Sequence, residues 1–173
     1  MVGAAAVAAV RTDVKLRTLW KYMAVGAALA VVPDLDMFLT NVLHLSKSWH
    51  RSFSHSLAWA LAVGLVAAFA RRRGPDYRAG AAYGAATLTH AILDALVSVK
   101  GGVALLWPIT QRRFTAGLYE YPDVLRINYN YNGDVLLLQG LRRAAAVSFW
   151  ELLFGGAVLI IVLALRRFAG RLT

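Results

Sequence analysis

Four long apolar runs, separated by short basic connectors, constrain this chain more than any other feature of its sequence. The runs cover residues 19–39, 53–70, 79–99 and 144–165. Each approaches or exceeds the roughly 20 residues that a helix needs to cross a bilayer. Of all residues, 59% are hydrophobic and 16% are charged, against about 25% charged in a typical soluble domain. The sequence therefore predicts an all-α, multi-span helical membrane protein.

The remaining segments complete a single integral-membrane domain over residues 1–173, for which we expect four to five membrane helices. Residues 1–10 are apolar but too short to span, so we expect an interfacial turn or the end of a helix that begins upstream. Residues 100–143 contain Trp107-Pro108 and the turn pair Asn132-Gly133. This composition favours an interfacial segment of short helices and turns between the last two spans.

The formal net charge of +10 could serve binding to nucleic acid or to membrane lipids, and the placement of Lys and Arg distinguishes the two. These residues stand between apolar runs and not in an aromatic-interleaved motif, so membrane lipids are favoured as partners and nucleic acid is not. Alternating spans put the basic connectors 11–21, 71–78 and 166–171 on one side, which we expect to be cytoplasmic. The polar segments that connect the apolar runs on the opposite side then lie toward the outer side of the cell inner membrane.

Ionisable side chains concentrate between residues 33 and 56. This window contains Asp34, Asp36, His50 and His55, in a chain with only nine acidic residues and four histidines. Charged groups near a bilayer are costly unless they are paired or functional. Because Asp34 and Asp36 directly follow Pro33 and are two residues apart, both carboxylates can reach one cation from an extended or turn segment.

A second polar pair lies inside the run 79–99. His90 and Asp94 are four residues apart, so on a helix they share one face, and Asp94 can bind the same ion as His90 or orient its ring. The chain has no cysteine, which leaves imidazoles and carboxylates as ligands. We predict one divalent-metal site, with zinc as the expected ion and manganese, iron or magnesium as alternatives. Its expected metal-binding and catalytic residues are Asp34, Asp36, His50, His55, His90 and Asp94.

Three further residues are expected to bind substrate: Arg51, Ser54 and Glu151. An arginine beside the histidines can hold a phosphate or carboxylate. The alternatives stay open, because Ser52 or Ser54 suits the N-cap of the second span, and Glu151 suits the first turns of the last. A metal, a polarised water and an anion clamp together predict hydrolysis of an ester or phosphoester.

Three motifs in order resemble a known family: P-D-x-D at 33–36, H-R-x-x-S-H-S at 50–56 and H-x-x-x-D at 90–94. The sequence is similar to the LexA-regulated inner-membrane metal-dependent hydrolases of the YdjM type. This resemblance implies a multi-span membrane hydrolase in which the same six residues are candidate ligands. One departure is that family members usually carry a His before the Gly/Ala-rich first helix, whereas Val2-Gly3-Ala4-Ala5 follows Met1 directly. We expect either a start upstream or the loss of one ligand.

The leading hypothesis is a membrane-embedded metal-dependent hydrolase, acting on a phosphoester or lipid-linked small-molecule substrate at the outer membrane boundary. The alternative is a non-enzymatic transporter or scaffold with an intramembrane His–Asp site for an ion or proton. A transporter is often built from internal repeats, and no such repeat is evident in the sequence.

Overall fold

A computed structural model describes residues 1–36, 43–44, 46, 49, 51–72, 74–96, 102–117, 149 and 152–169. Within these ranges the chain is helical and contains no strand, so the predicted all-α class is confirmed for them. The helices are α1 (Val2–Val10), α2 (Leu16–Leu29), α3 (Leu57–Phe69), α4 (Tyr77–Leu96) and α5 (Leu152–Ala169). Two 3₁₀ turns, Val32–Leu35 and Phe53–His55, lie within the polar stretch predicted above.

Helices α1 to α4 pack together and alternate in direction, which gives the bundle two ends. We call one end the polar end, because it contains both 3₁₀ turns and the last turns of α4. We call the other the basic end, because it contains the end of α1, the start of α2 and the Arg-rich turn between α3 and α4. These two names are used unchanged below.

Helix α1 lies in the core of the bundle and is not an interfacial turn, which corrects that expectation for residues 1–10. Val7 is fully buried and packs against Ala82 and Ala86 of α4. Gly3 and Gly26 let α1 and α2 approach closely, since a Cβ on Gly3 would lie 2.7 Å from the Gly26 carbonyl oxygen. Small residues at such contacts permit dense helix packing without a large apolar interface.

Helix α5 is the one helix among the described residues that is long and apolar enough to cross a membrane. It has 18 residues with a mean hydropathy of 2.1. Helices α2 and α3 contain 14 and 13 residues, or about 21 and 20 Å at 1.5 Å per residue, against a hydrocarbon core of about 30 Å. The run 19–39 is broken where α2 ends ahead of Pro33, and the count of four to five spans stays a prediction.

Helix α3 nonetheless presents a face suited to lipid. Leu61, Leu65, Val66 and Phe69 are each more than half exposed. Contiguous apolar surface of this kind is uncommon on a soluble monomer and is expected where a helix contacts acyl chains. The short length of α3 therefore does not exclude it from the membrane interior.

The segment 102–117 covers the polar end. Val103 is fully buried against Ala91 and Ala95 of α4 and pairs with Phe114 in an isolated β-bridge. The Leu57 backbone N–H donates to the Leu105 carbonyl at 2.9 Å. These contacts hold the segment over the start of α3. The predicted site residues therefore surround a helix end that is covered by protein.

Candidate metal centre

Three predicted ligands meet at the polar end from three separate elements. Asp34 lies in the first 3₁₀ turn, His55 in the second, and His90 on α4. Asp34 Oδ1 lies 3.2 Å from His90 Nε2 and 3.7 Å from His55 Nε2, and one ligand atom of each residue lies within 4.8 Å of the others. We call Asp34, His55 and His90 the ligand triad.

The spacing of the ligand triad fits a divalent metal. Tetrahedral zinc, with bonds of about 2.0–2.1 Å, holds its ligand atoms about 3.3–3.4 Å apart. The two separations from Asp34, 3.2 and 3.7 Å, fall on either side of that value, and the two imidazole ligand atoms lie within 4.8 Å of each other. Two imidazoles and one carboxylate also form a donor set that catalytic zinc sites use, with a fourth position open for water or substrate.

Asp94 lies beside the ligand triad. Its Oδ2 is 3.6 Å from His55 Nε2 and accepts a hydrogen bond from Arg51 Nε at 3.1 Å. Asp94 and His90 do share one face of α4, as their spacing predicts, and both approach His55 from the same side. Asp94 is therefore placed either to bind a metal directly or to balance its charge.

Asp36 approaches His55 through the other ring nitrogen. The buried Ser54 hydroxyl donates to Asp36 Oδ2 at 2.6 Å and lies 2.9 Å from His55 Nδ1. Asp36 is predicted above as a metal ligand and Ser54 as a substrate contact. The structure places both residues on the Nδ1 side of the His55 ring, while Asp34 of the ligand triad lies on its Nε2 side.

This arrangement selects the tautomer of His55. The Ser54 hydroxyl has one proton, and it donates that proton to Asp36, so its oxygen is left to accept from His55 Nδ1–H. The lone pair of His55 Nε2 is then directed toward Asp34 of the ligand triad. A carboxylate that fixes a metal-binding imidazole through its second nitrogen is a recurring feature of metal sites. Here a serine hydroxyl stands between the two.

Arg51 is held by its backbone as well as by its side chain. Its N–H donates to Asp36 Oδ2 at 3.2 Å and its carbonyl accepts from Ala104 N at 3.0 Å. Its φ of 60° lies in the left-handed region, which is unfavourable for a residue with a side chain. The hydrogen bonds from both sides stabilise this conformation and hold the guanidinium against Asp94.

The structure adds Arg113, which is not among the predicted site residues, and relocates the N-cap of α3. Arg113 Nη2 donates to Ser52 Oγ at 3.2 Å, so a second guanidinium lies next to the Arg51 position. The N-cap predicted at Ser52 or Ser54 is Ser56, whose hydroxyl oxygen accepts from Trp59 N at 3.1 Å. No sequence signal links Arg113 to Ser52, because 60 residues separate them.

The electrostatics of the 3₁₀ turns favour a cation. Burial alone would raise the pKa of Asp34, but the neighbouring rings of His55 and His90 outweigh it and hold that pKa well below its ordinary value. Burial would lower the pKa of His55, but the nearby carboxylates of Asp34, Asp36 and Asp94 raise it. Three carboxylates around two imidazoles thus stabilise positive charge, which is the requirement for a metal site.

Two predicted site residues, His50 and Glu151, lie outside the described residues. Their roles as a metal ligand and a substrate contact stay predictions. The interfacial segment expected at 100–143 also lies mostly outside, although its described part, 102–117, does pack over the polar end.

Comparison with known proteins agrees with the motif order. The family described as YdjM inner membrane protein matches residues 1–169. The chain is also 36% identical over 98 residues to the inner membrane protein YbcI of Escherichia coli (strain K12), a match that covers 53% of this chain and 56% of YbcI. It thus spans about half the length of this curated relative, and no solved structure matches it. The family match covers nearly the whole chain, which therefore belongs to the YdjM family of inner membrane proteins.

Proposed function

We propose that this protein is a metal-dependent hydrolase of the inner membrane, acting on a phosphoester or lipid-linked substrate at the outer membrane boundary. The observation that carries the proposal is the convergence of Asp34, His55 and His90 ligand atoms within 4.8 Å. These residues come from three separate elements, and a shared cation explains why the fold brings them together.

The chemistry follows from what each side chain can supply. A divalent metal held by the ring nitrogens of His55 and His90 and the carboxylate of Asp34 would supply a Lewis acid and would lower the pKa of a bound water. Asp94 lies 3.6 Å from His55 Nε2, where its carboxylate can accept a proton from a nucleophilic water.

The substrate class is inferred from the two guanidinium groups at the polar end. Arg51 contacts Asp94 at 3.1 Å, and Arg113 contacts Ser52 at 3.2 Å. Arginine binds phosphate oxygens through two parallel donors. An anionic ester, bound with its negative oxygens toward these side chains, would present its reacting centre to the ligand triad.

Metal content is the first test. The full chain is purified in detergent, and bound metal is measured by mass spectrometry for the parent and for His55→Ala, His90→Ala and Asp34→Ala. His44→Ala is the matched control, because His44 is exposed and not part of the ligand triad. Each triad variant is expected to lose the metal, and the control is expected to retain it. Full metal content in all three triad variants would contradict the proposal.

Turnover is the second test. Hydrolysis of bis-p-nitrophenyl phosphate is measured before and after chelation, and after zinc is added back. Chelation is expected to abolish hydrolysis and zinc to restore it. A protein that binds metal, fails to hydrolyse phosphoesters and conducts ions in proteoliposomes would instead be the transporter considered above.

A further inference from the structure

The basic end of the bundle contains a concave site that the proposed hydrolase does not use. It has a volume of about 520 Å³ and is formed by the turn between α3 and α4; its lining residues are Arg71, Gly74, Pro75, Asp76, Tyr77 and Arg78. We call it the basic cup. The side chains of Arg71 and Arg78 are 61% and 62% exposed, so both guanidinium groups are accessible from the surface.

Asp76 does not neutralise this cup. Its Oδ2 accepts from Arg71 Nη1 and from Arg11 Nη1, each at 3.0 Å, and its Oδ1 accepts from the Ala79 backbone N–H at 2.9 Å. One carboxylate is therefore shared between two guanidinium groups. Such sharing leaves positive potential at the exposed partner, Arg71.

The neighbouring acidic residue is shared in the same way. Asp13 accepts hydrogen bonds from Arg11 Nε at 3.0 Å and from Arg11 Nη2 at 2.9 Å, while Arg78 Nη1 approaches it only to 3.9 Å. Arg72 is exposed as well. Three arginines, Arg11, Arg71 and Arg78, thus share two aspartates beside the cup, and the excess positive charge is suited to an anion.

An apolar groove adjoins the cup. It lies between α3 and α4, has a volume of about 380 Å³, and is walled by side chains that include Leu61, Leu65 and Leu88. Tyr77 lines both the groove and the cup, so the two adjoin at this residue. The groove is lined along α3 from Ala68 to Leu57, or about 17 Å at 1.5 Å per residue, a length over which an extended acyl chain can lie.

A close glycine contact between α3 and α4 forms the bottom of the groove, and an aromatic pair lies at its opening. Gly64 and Gly80 bring the helix backbones together, since a Cβ on Gly64 would lie 2.9 Å from the Gly80 carbonyl oxygen. At the mouth, the exposed rings of Phe69 and Tyr77 pack edge to face with centroids 6.2 Å apart. Exposed aromatic rings next to basic residues are typical of the headgroup level of a membrane.

We propose that the basic cup and the apolar groove together bind one anionic phospholipid, with its phosphate in the cup and an acyl chain in the groove. A soluble phosphate would satisfy the arginines but not the groove. A second copy of this chain would bring the same positive excess against the cup. The basic cup lies at the opposite end of α3 from the ligand triad, and none of the triad residues lines the cup or the groove, so this proposal does not rest on the hydrolase.

The test uses the purified full chain in an uncharged detergent. Its melting temperature is measured with phosphatidylglycerol, with phosphatidylcholine of the same acyl chains, and with glycerophosphate. Phosphatidylglycerol is expected to raise the melting temperature by several degrees, because it binds only the folded chain. Phosphatidylcholine and glycerophosphate are each expected to give at most a small part of that rise.

Three variants locate the effect. R71Q/R78Q removes charge from the cup, and A81F fills the groove at an exposed position without changing charge; both are expected to lose the rise. R112Q removes an exposed arginine of the segment over the polar end and is expected to keep it. The proposal would be overturned if the two lipids had equal effects or if glycerophosphate gave the full rise. It would also be overturned if R112Q lost the rise, or if R71Q/R78Q and A81F kept it.

Discussion

The orientation of His55 depends on Ser54, which leads to a prediction about metal affinity. Ser54→Ala removes the hydroxyl that joins Asp36 to His55 Nδ1 and frees the imidazole to adopt the other tautomer. Loss of such an outer-shell partner typically costs about 10–100-fold in metal affinity. Competition of the purified protein with a chelating dye measures the change.

Ser54→Thr is the control for this variant, because it keeps the hydroxyl at the same position. We expect it to recover most of the affinity at an unchanged melting temperature. An alanine variant that binds metal as tightly as the parent would show that Ser54 only fills space.

Asp76 predicts a pH dependence of stability. The Ala79 backbone N–H donates to this carboxylate, and Arg11 and Arg71 lie beside it; together these lower its pKa below the ordinary 3.8, against the opposing effect of burial. A group whose pKa is lowered on folding stabilises the folded state fully above its unfolded pKa. That contribution is lost as the pH falls from 3.8 through the folded value.

Asp76→Asn is therefore expected to destabilise the chain at pH 7, by about 1–3 kcal/mol for the loss of charged hydrogen bonds. The difference from the parent should shrink as the pH falls below 4. Melting curves from pH 3 to pH 7 measure both effects. A difference that stays constant over this range would contradict the assigned cause.

Single residues also mark the limit of sequence reasoning about the site. The motif order selected Asp34, His55 and His90 as candidate ligands, because a cation site needs carboxylates and imidazoles and few other residues here carry them. It could not say which ring nitrogen of His55 faces the cluster, since that depends on the turn joining Ser54 to Asp36. Arg113 was missed for a related reason: its contact with Ser52 arises only when the segment 102–117 packs over α3.

At the scale of helices, two glycines in different environments give opposite predictions. A Cβ on Gly80 of α4 would lie 2.8 Å from the Gly64 carbonyl oxygen and 2.9 Å from Ala68 Cβ. Gly80→Ala should force α3 and α4 apart at a cost of about 1–3 kcal/mol. On α5, a Cβ on Gly156 would meet no atom of the described residues within 4 Å.

Gly156→Ala is thus the matched control. It is expected to leave stability unchanged or raise it by about 0.5–1 kcal/mol, because alanine loses less backbone entropy in a helix. Melting temperatures of both variants in one detergent test the pair. Equal effects would mean that α3 and α4 are not in close contact at Gly80.

Helices α2 to α5 overlap the predicted apolar runs but have different ends, and α1 was not predicted as a packed helix. Apolar content marks the interior of a helix and is insensitive to where its hydrogen bonding stops. The run 19–39 continues through Pro33, whereas α2 ends at Leu29 and a 3₁₀ turn follows. The run 53–70 begins before Ser56, whose side chain caps α3. Capping is decided by one local hydrogen bond that several nearby serines could make, so the sequence alone left it open.

Across the whole molecule, basic residues from distant parts of the chain gather at one end. Arg166 of α5 donates to the carbonyl oxygens of Ala8, Thr12 and Val14 at 3.0, 3.4 and 3.0 Å. The same end contains Arg11 and the turn from Arg71 to Arg78. The basic connectors therefore lie at one end of the described helices, as the alternating layout predicts. This observation does not depend on which side of the membrane the basic end faces.

That side is the last prediction, and the absence of cysteine from the chain makes it testable without background. Basic segments are retained in the cytoplasm, so the basic end should face inward and the ligand triad outward. Ser46→Cys, exposed in the 33–56 stretch of the polar end, should react with a membrane-impermeant maleimide in spheroplasts. Arg72→Cys, exposed at the basic end, should react only after permeabilisation. The reverse pattern would place the metal centre in the cytoplasm and exclude a substrate at the outer boundary.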